Sequence, residues 1–102
     1  MEKDIKQLTE EEIKIRTNSL GKWVLSNHQI ERVFKFKSFE QAMAFVQDVA
    51  RIAQKENHHP TIYINYDEVT LTLKTHKVKT LTNKDFDLAE HIEELNESKY
   101  SE

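Results

Sequence analysis

Apolar and polar positions alternate with two different periods along this chain, and the places where the period changes mark its elements. Thr9-Glu10-Glu11-Glu12 has the form of a capping box, with Thr9 as N-cap and Glu12 reaching back to it. The acidic run also suits the positive end of a helix dipole. A short helix is predicted to about Asn18, with Gly21 just past its end and Leu8, Ile13 and Leu20 as anchors. Trp23-Val24-Leu25 reads as a short strand and Ile30–Phe36 as a second, joined through Asn27-His28. Ile30, Arg32, Phe34 and Phe36 share one face of that second strand, so Arg32 needs a partner or an edge position.

A second capping box, Ser38 with Gln41, opens the best amphipathic run in the chain. Phe39, Ala42, Val46, Val49 and Ala53 step by three and four along one stripe, widened by Phe45 and Ile52. The run ends near Glu56, with Asn57 suited to a left-handed cap. Thr61–Tyr66 then alternates, and so do Val69, Leu71 and Leu73; the period is that of two strands, with Asp67-Glu68 between them as a tight hairpin. Thr82 is the N-cap of a last helix carried by Phe86, Ala89, Ile92 and Leu95. Met1–Leu8 reads as a frayed start and residues 96–102 as a polar tail. The pattern implies an α+β fold in two layers, of order α-β-β-α-β-β-α: a four-stranded antiparallel sheet with its helices on one face.

Composition narrows the function classes. A chain of 102 residues with no linker or low-complexity tract is read as a single domain, residues 1–102. Net charge is −3 and no basic patch stands out, which argues against direct nucleic-acid binding. With no cysteine there are no disulfides and no thiolate chemistry. The longest apolar run, Ala42–Val46, is too short for a membrane span or a signal-peptide core, and a cytoplasmic location is expected.

Candidate chemistry gathers at the junction between the long helix and the hairpin. His58 and His59 stand side by side there, and Pro60 pushes His59 into extended backbone. Histidine titrates near neutral pH and exchanges protons at little cost. His76 lies at the far end of the hairpin, so an antiparallel pair returns it to the neighbourhood of His59 and Pro60. Three convergent histidines are also a catalytic zinc set. Adjacent histidines on an extended segment point to opposite sides, however, and no HExxH spacing is present, so no metal is expected. Asp85 can complete the Thr82 cap, a structural task, and could secondarily be the charge partner of a histidine.

The run His58-His59-Pro60, Tyr66, His76 and Asp85 resembles the signature of the pterin-4a-carbinolamine dehydratases. Trp23, Phe34-Lys35-Phe36 leading to Ser38-Phe39, Ala42 with Phe45, Thr75-His76, and Leu81-Thr82 leading to Asp85-Phe86 also sit where that family has like residues, over roughly residues 8–95. Three positions depart from it. Gln54 stands where the family usually has a charged, most often acidic residue, Ile62 where an aromatic is common, and Thr80 where glycine is common.

The resemblance implies loss of water from a 4a-hydroxytetrahydropterin to give quinonoid dihydropterin, in support of tetrahydrobiopterin recycling. An acid and a base near neutral pH suffice for it, and no cofactor is expected because the pterin is the substrate. On this reading His59 and His76 handle protons, His58 orients the pterin and shares the acid role, and Pro60 and Asp85 contribute to substrate binding. The family implies a homodimer or homotetramer. It also opens two alternatives: a protein-binding module acting as a dimerisation cofactor for a transcription factor, and a pterin role near molybdopterin biosynthesis.

Overall fold

Each helix starts where its sequence places a cap. The structure, a computed structural model, describes residues 5–100. Thr9 and Glu12 exchange both bonds of a capping box at the start of α1, Glu10–Leu20. Ser38 Oγ accepts from Gln41 N at 3.0 Å to open α2, Phe39–Glu56. The second box is incomplete, because Gln41 Oε1 takes the backbone N–H of Lys37 and not that of Ser38. Thr82 and Asp85 form a full box at α3, Asn83–Leu95. The strands are β1, Val24–Ser26; β2, Gln29–Lys35; β3, Thr61–Asn65; and β4, Glu68–Leu73. The architecture is therefore α+β in the predicted order, followed by one π-helical turn at Asn96–Tyr100.

All strand pairs are antiparallel and the sheet order is β1-β2-β4-β3. Ile30 lies opposite Leu73, Arg32 opposite Leu71, and Phe34 opposite Val69. This row is the helix-covered face, and its apolar members are buried with Phe45, Val49, Phe86, Leu88 and Ile92. The other face carries Val24, Val33 and Tyr63, all exposed. A half-covered antiparallel sheet gives this alternation.

Arg32 keeps its place on the covered face because two groups receive it. Its guanidinium lies 4.1 Å from the Phe34 ring centroid and pairs with Glu93 from α3. Trp23 Nε1 donates to the same Glu93 carboxylate at 2.7 Å. Arg32 Nε is buried without a hydrogen-bond partner among the described residues.

Several boundaries differ from the sequence reading. The first strand begins after Trp23, which is buried against Phe34. The β3–β4 turn is Tyr66-Asp67, since Asn65 pairs with Glu68, and Tyr66 takes the left-handed region at φ 54°. Period-two alternation fixes faces but not which residues close the loop. Phe39, the first residue of α2, is exposed, and the buried stripe begins at Ala42. Residues 6–8 are pinned: Leu8 N donates to Leu81 O, Asn83 N to Lys6 O, and Lys6 N to Asn83 Oδ1. The part of the predicted frayed start at Met1–Asp4 lies outside the described residues, as do Ser101 and Glu102. The expected polar tail folds back, with Tyr100 edge-on to Phe36 and Phe45 and its hydroxyl donating to Asp48 at 2.5 Å. Among the described residues no helix is long and apolar enough to cross a membrane.

Candidate active site

The site begins at the end of α2. Asn57 adopts the left-handed conformation, φ 53°, and its N–H reaches back to the carbonyls of Ala53 and Gln54. Asparagine tolerates this region better than most residues, so the helix stops there and the chain turns. His58 N still donates to Ala53 O at 3.1 Å, which keeps the first histidine against the helix end. Pro60 then leads into β3. β4 ends at Leu73, so His76 lies in the loop beyond the strand and not at its last position. His58, His59 and His76 line one pocket of about 250 Å³, with Asn57, Thr75 and Lys77 among its other walls. The hairpin geometry does bring the three histidines together.

Their surroundings differ in a graded way. The His58 side chain is 11% exposed, and its Nε2 lies 2.7 Å from Asp85 Oδ1. Asp85 is fully buried. Its second oxygen accepts from Thr75 Oγ1 at 2.6 Å and from Thr82 N at 2.9 Å. Thr75 and Thr82 hydroxyls are 2.8 Å apart, so Thr82 can donate to Thr75 while Thr75 donates to the carboxylate. With a carboxylate as acceptor, His58 Nε2 carries the proton and Nδ1 is the nitrogen left for chemistry. His59 is exposed, and its Nε2 lies 3.0 Å from Gln54 Oε1. A carboxamide oxygen accepts, which likewise assigns the Nε2 proton to His59. His76 is exposed and makes no side-chain hydrogen bond among the described residues.

Pro60 is half-buried and Asp85 sits behind His58; neither is among the residues lining the pocket. Asp85 combines the two tasks weighed for it, completing the Thr82 cap and facing a histidine. Sequence reasoning missed Thr75 as a second support of that carboxylate, and Lys77 and Lys84 as pocket walls. The signal for Thr75 was its place next to His76 at a strand exit; the signal for the lysines was the acid-free stretch from Lys74 to Lys84. Among the described residues no group of three or more histidines and carboxylates comes together in a way that could hold a metal ion.

A family model described as Pterin 4 alpha carbinolamine dehydratase matches residues 6–95. The chain belongs to that family. A relative from Acidobacterium capsulatum is 49% identical over 89 residues, covering 87% of this chain and 97% of its own length. One from a Roseiflexus species is 43% identical, covering 87% and 96%. Both carry the name pterin-4-alpha-carbinolamine dehydratase only provisionally. A Brucella melitensis crystal structure titled transcriptional coactivator/pterin dehydratase superposes with a TM-score of 0.82 at 34% identity, over 88% of this chain and 98% of that one. A pterin dehydratase-like protein described as a RuBisCO assembly factor of the alpha-carboxysome shares the fold, with a TM-score of 0.62 at 21% identity over 78% and 90%.

Proposed function

We propose that this chain is a hydro-lyase that removes water from a 4a-hydroxytetrahydropterin by histidine acid–base catalysis, in support of tetrahydropterin recycling. The carbon–oxygen bond at carbon 4a breaks, the hydroxyl leaves as water with a proton from an imidazolium, and a ring nitrogen gives up its proton to a neutral imidazole. The observation that carries the reading is the convergence of His58, His59 and His76 on one pocket, with His58 fixed by a buried carboxylate. A positioned acid or base contributes about 10²- to 10⁴-fold. A homodimer or homotetramer is expected, and light scattering at micromolar concentration tests that directly.

The decisive experiment generates the carbinolamine in situ and measures dehydration above the spontaneous rate. His59→Ala and His76→Ala are each expected to lose roughly 10²-fold or more, the double variant to lose less than the product, and the melting temperature to hold. Full activity in both single variants refutes acid–base catalysis by this pair. A second reading, protein binding, draws on the description of the Brucella relative as a transcriptional coactivator. Absence of turnover by the wild type favours that reading.

A further inference from the structure

Val69, Leu71 and Leu73 point inward from β4, and the same alternation carries on past the strand to bury Thr75. An apolar side chain would suit that place, because a buried hydroxyl costs free energy unless it is hydrogen-bonded. Thr75 Oγ1 donates to Asp85 Oδ2 at 2.6 Å, within the roughly 2.5–2.7 Å of a hydroxyl on an ionised carboxylate. The start of α3 does not need this bond. Thr82 caps the helix by accepting from Lys84 N and by donating its own N–H to Asp85 Oδ2. The Thr75 hydroxyl is thus an addition to a cap that closes without it.

Chemistry fixes the direction of each hydrogen in this cluster. A carboxylate only accepts, so the one hydrogen of Thr75 goes to Asp85, and the Thr82 hydroxyl, 2.8 Å away, donates to Thr75. Asp85 Oδ2 is then held from two segments, by Thr75 at the exit of β4 and by Thr82 at the start of α3. Oδ1 is left to face His58 Nε2 at 2.7 Å. By itself the carboxylate torsion of an aspartate is broad and close to two-fold. Two anchors on one oxygen hold the other in a single direction, that of the imidazole. With the Thr82 N–H alone the group is free to turn about one bond, and Oδ1 swings away from His58.

Resting on the dehydratase reading, we infer that Thr75 is a positioning residue of the reaction: its hydroxyl locks the Asp85 carboxylate and, through it, the Nε2–H tautomer of His58, so that Nδ1 is the nitrogen left for the substrate. Thr75 acts only through Asp85 and His58 and carries no proton of the reaction itself.

The test pairs nitrogen-15 NMR of the histidine rings in the full chain with turnover of a carbinolamine generated in situ. In the wild type, His58 Nε2 is expected to carry the proton. Thr75→Val, which exchanges the hydroxyl for a methyl group, is expected to give His58 a mixture of both tautomers. It should also lower kcat roughly tenfold, the scale of one hydrogen bond to a charged group. Thr75→Ser keeps the hydroxyl and restores the single tautomer and most of the rate. Thr75→Ala removes the hydroxyl without adding an atom and gives the same readings where the valine methyl is not accommodated. A bare Nε2 in the wild type, a His58 spectrum or a turnover unchanged in Thr75→Val, or a change confined to the His76 ring overturns the inference. So does a Thr75→Ser chain as impaired as Thr75→Val, or failure of both hydroxyl-free variants to fold. Wild-type turnover with a His58 tautomer that Thr75→Val does not move sinks this inference alone. A moved tautomer with no turnover even in the wild type sinks the dehydratase reading and leaves the hold of Thr75 on His58 standing.

Discussion

Gln54→Glu puts a negative charge where the structure now has a neutral acceptor 3.0 Å from His59 Nε2. Opposite unit charges at that separation attract by about 1.4 kcal/mol at the dielectric of water and several-fold more at a protein-like value. His59 is exposed and glutamate is flexible, so the appropriate scale is that of exposed ion pairs, about 0.2–1 kcal/mol. At about 1.4 kcal/mol per pH unit, the His59 pKa rises by roughly half a unit in the variant. The direction follows from charge, since a carboxylate favours the imidazolium. Proton NMR of the imidazole between about pH 5 and 9 reads the shift directly, and Gln54→Ala is the neutral control. The rate profile of the wild type is expected to be bell-shaped, and which limb moves assigns the role of His59. The acid limb moves up if His59 is the base, the alkaline limb if it is the acid. Stability follows the same sign. A histidine raised in the folded state adds stability that is complete below its unfolded value and lost as pH rises through the higher folded value. No NMR shift, or one toward lower pH, refutes the placement of residue 54 beside His59.

The remaining expectations concern groups away from the pocket mouth. Asp85→Asn weakens both the α3 cap and the hold on His58, so it is expected to cost about 1–3 kcal/mol in denaturant unfolding and at least tenfold in turnover; unchanged turnover removes Asp85 from the positioning of His58. Glu93→Ala leaves the nearly buried Arg32 guanidinium without its carboxylate and is expected to cost about 3 kcal/mol. A loss below about 1 kcal/mol in the same measurement means that solvent already reaches Arg32. Tyr100→Phe tests the folded-back tail. The Tyr100 hydroxyl, aided by Lys99 and Arg51 against the opposing effect of burial, holds the Asp48 carboxyl below its ordinary range. That depressed group adds stability above the ordinary carboxylate range and loses it as pH falls, so acid unfolding of Tyr100→Phe begins at higher pH. Burial first, then Asp48, pushes the Tyr100 phenol up to about 12. Its stabilisation is complete below about pH 10 and fades as pH rises through that higher value, which a phenolate absorbance titration follows.

What the sequence could reveal was what a few neighbouring residues decide. Thr9, Ser38 and Thr82 announce their helices because a cap is a contact within one turn, and Asn57 marks its stop for the same reason. Val69, Leu71 and Leu73 fix the inner face of β4 because alternation is local too. Contacts between distant segments left no such mark. Residues 6–8 look frayed until the Leu81–Asn83 backbone supplies their partners, and Tyr100 looks like tail until Phe36, Phe45 and Asp48 receive it. Arg32 announced that it needed a partner, but nothing along the chain said that Glu93 was that partner. At the site, histidine spacing and hairpin geometry sufficed to foresee convergence. The Gln54–His59 contact and the approach of Lys77 and Lys84 to the pocket required the helix end and the β4–α3 connection to be placed in space.

The supports of the three imidazoles also differ in strength. His58 is held by a carboxylate that is buried, fixed by two further donors, and needed to start α3. Turning that ring would leave a buried carboxylate short of a hydrogen bond, at a cost of about 1–3 kcal/mol or more because the group is charged. His58 is thus confined to one tautomer and one orientation, which suits recognition of a fixed substrate group. His59 is held only by an exposed amide, and His76 by no side-chain bond among the described residues. These two can turn and exchange protons with solvent without disturbing the core, as a group must if it changes charge in every cycle. The same carboxylate that begins the last helix therefore separates the one firmly held imidazole from the two held loosely.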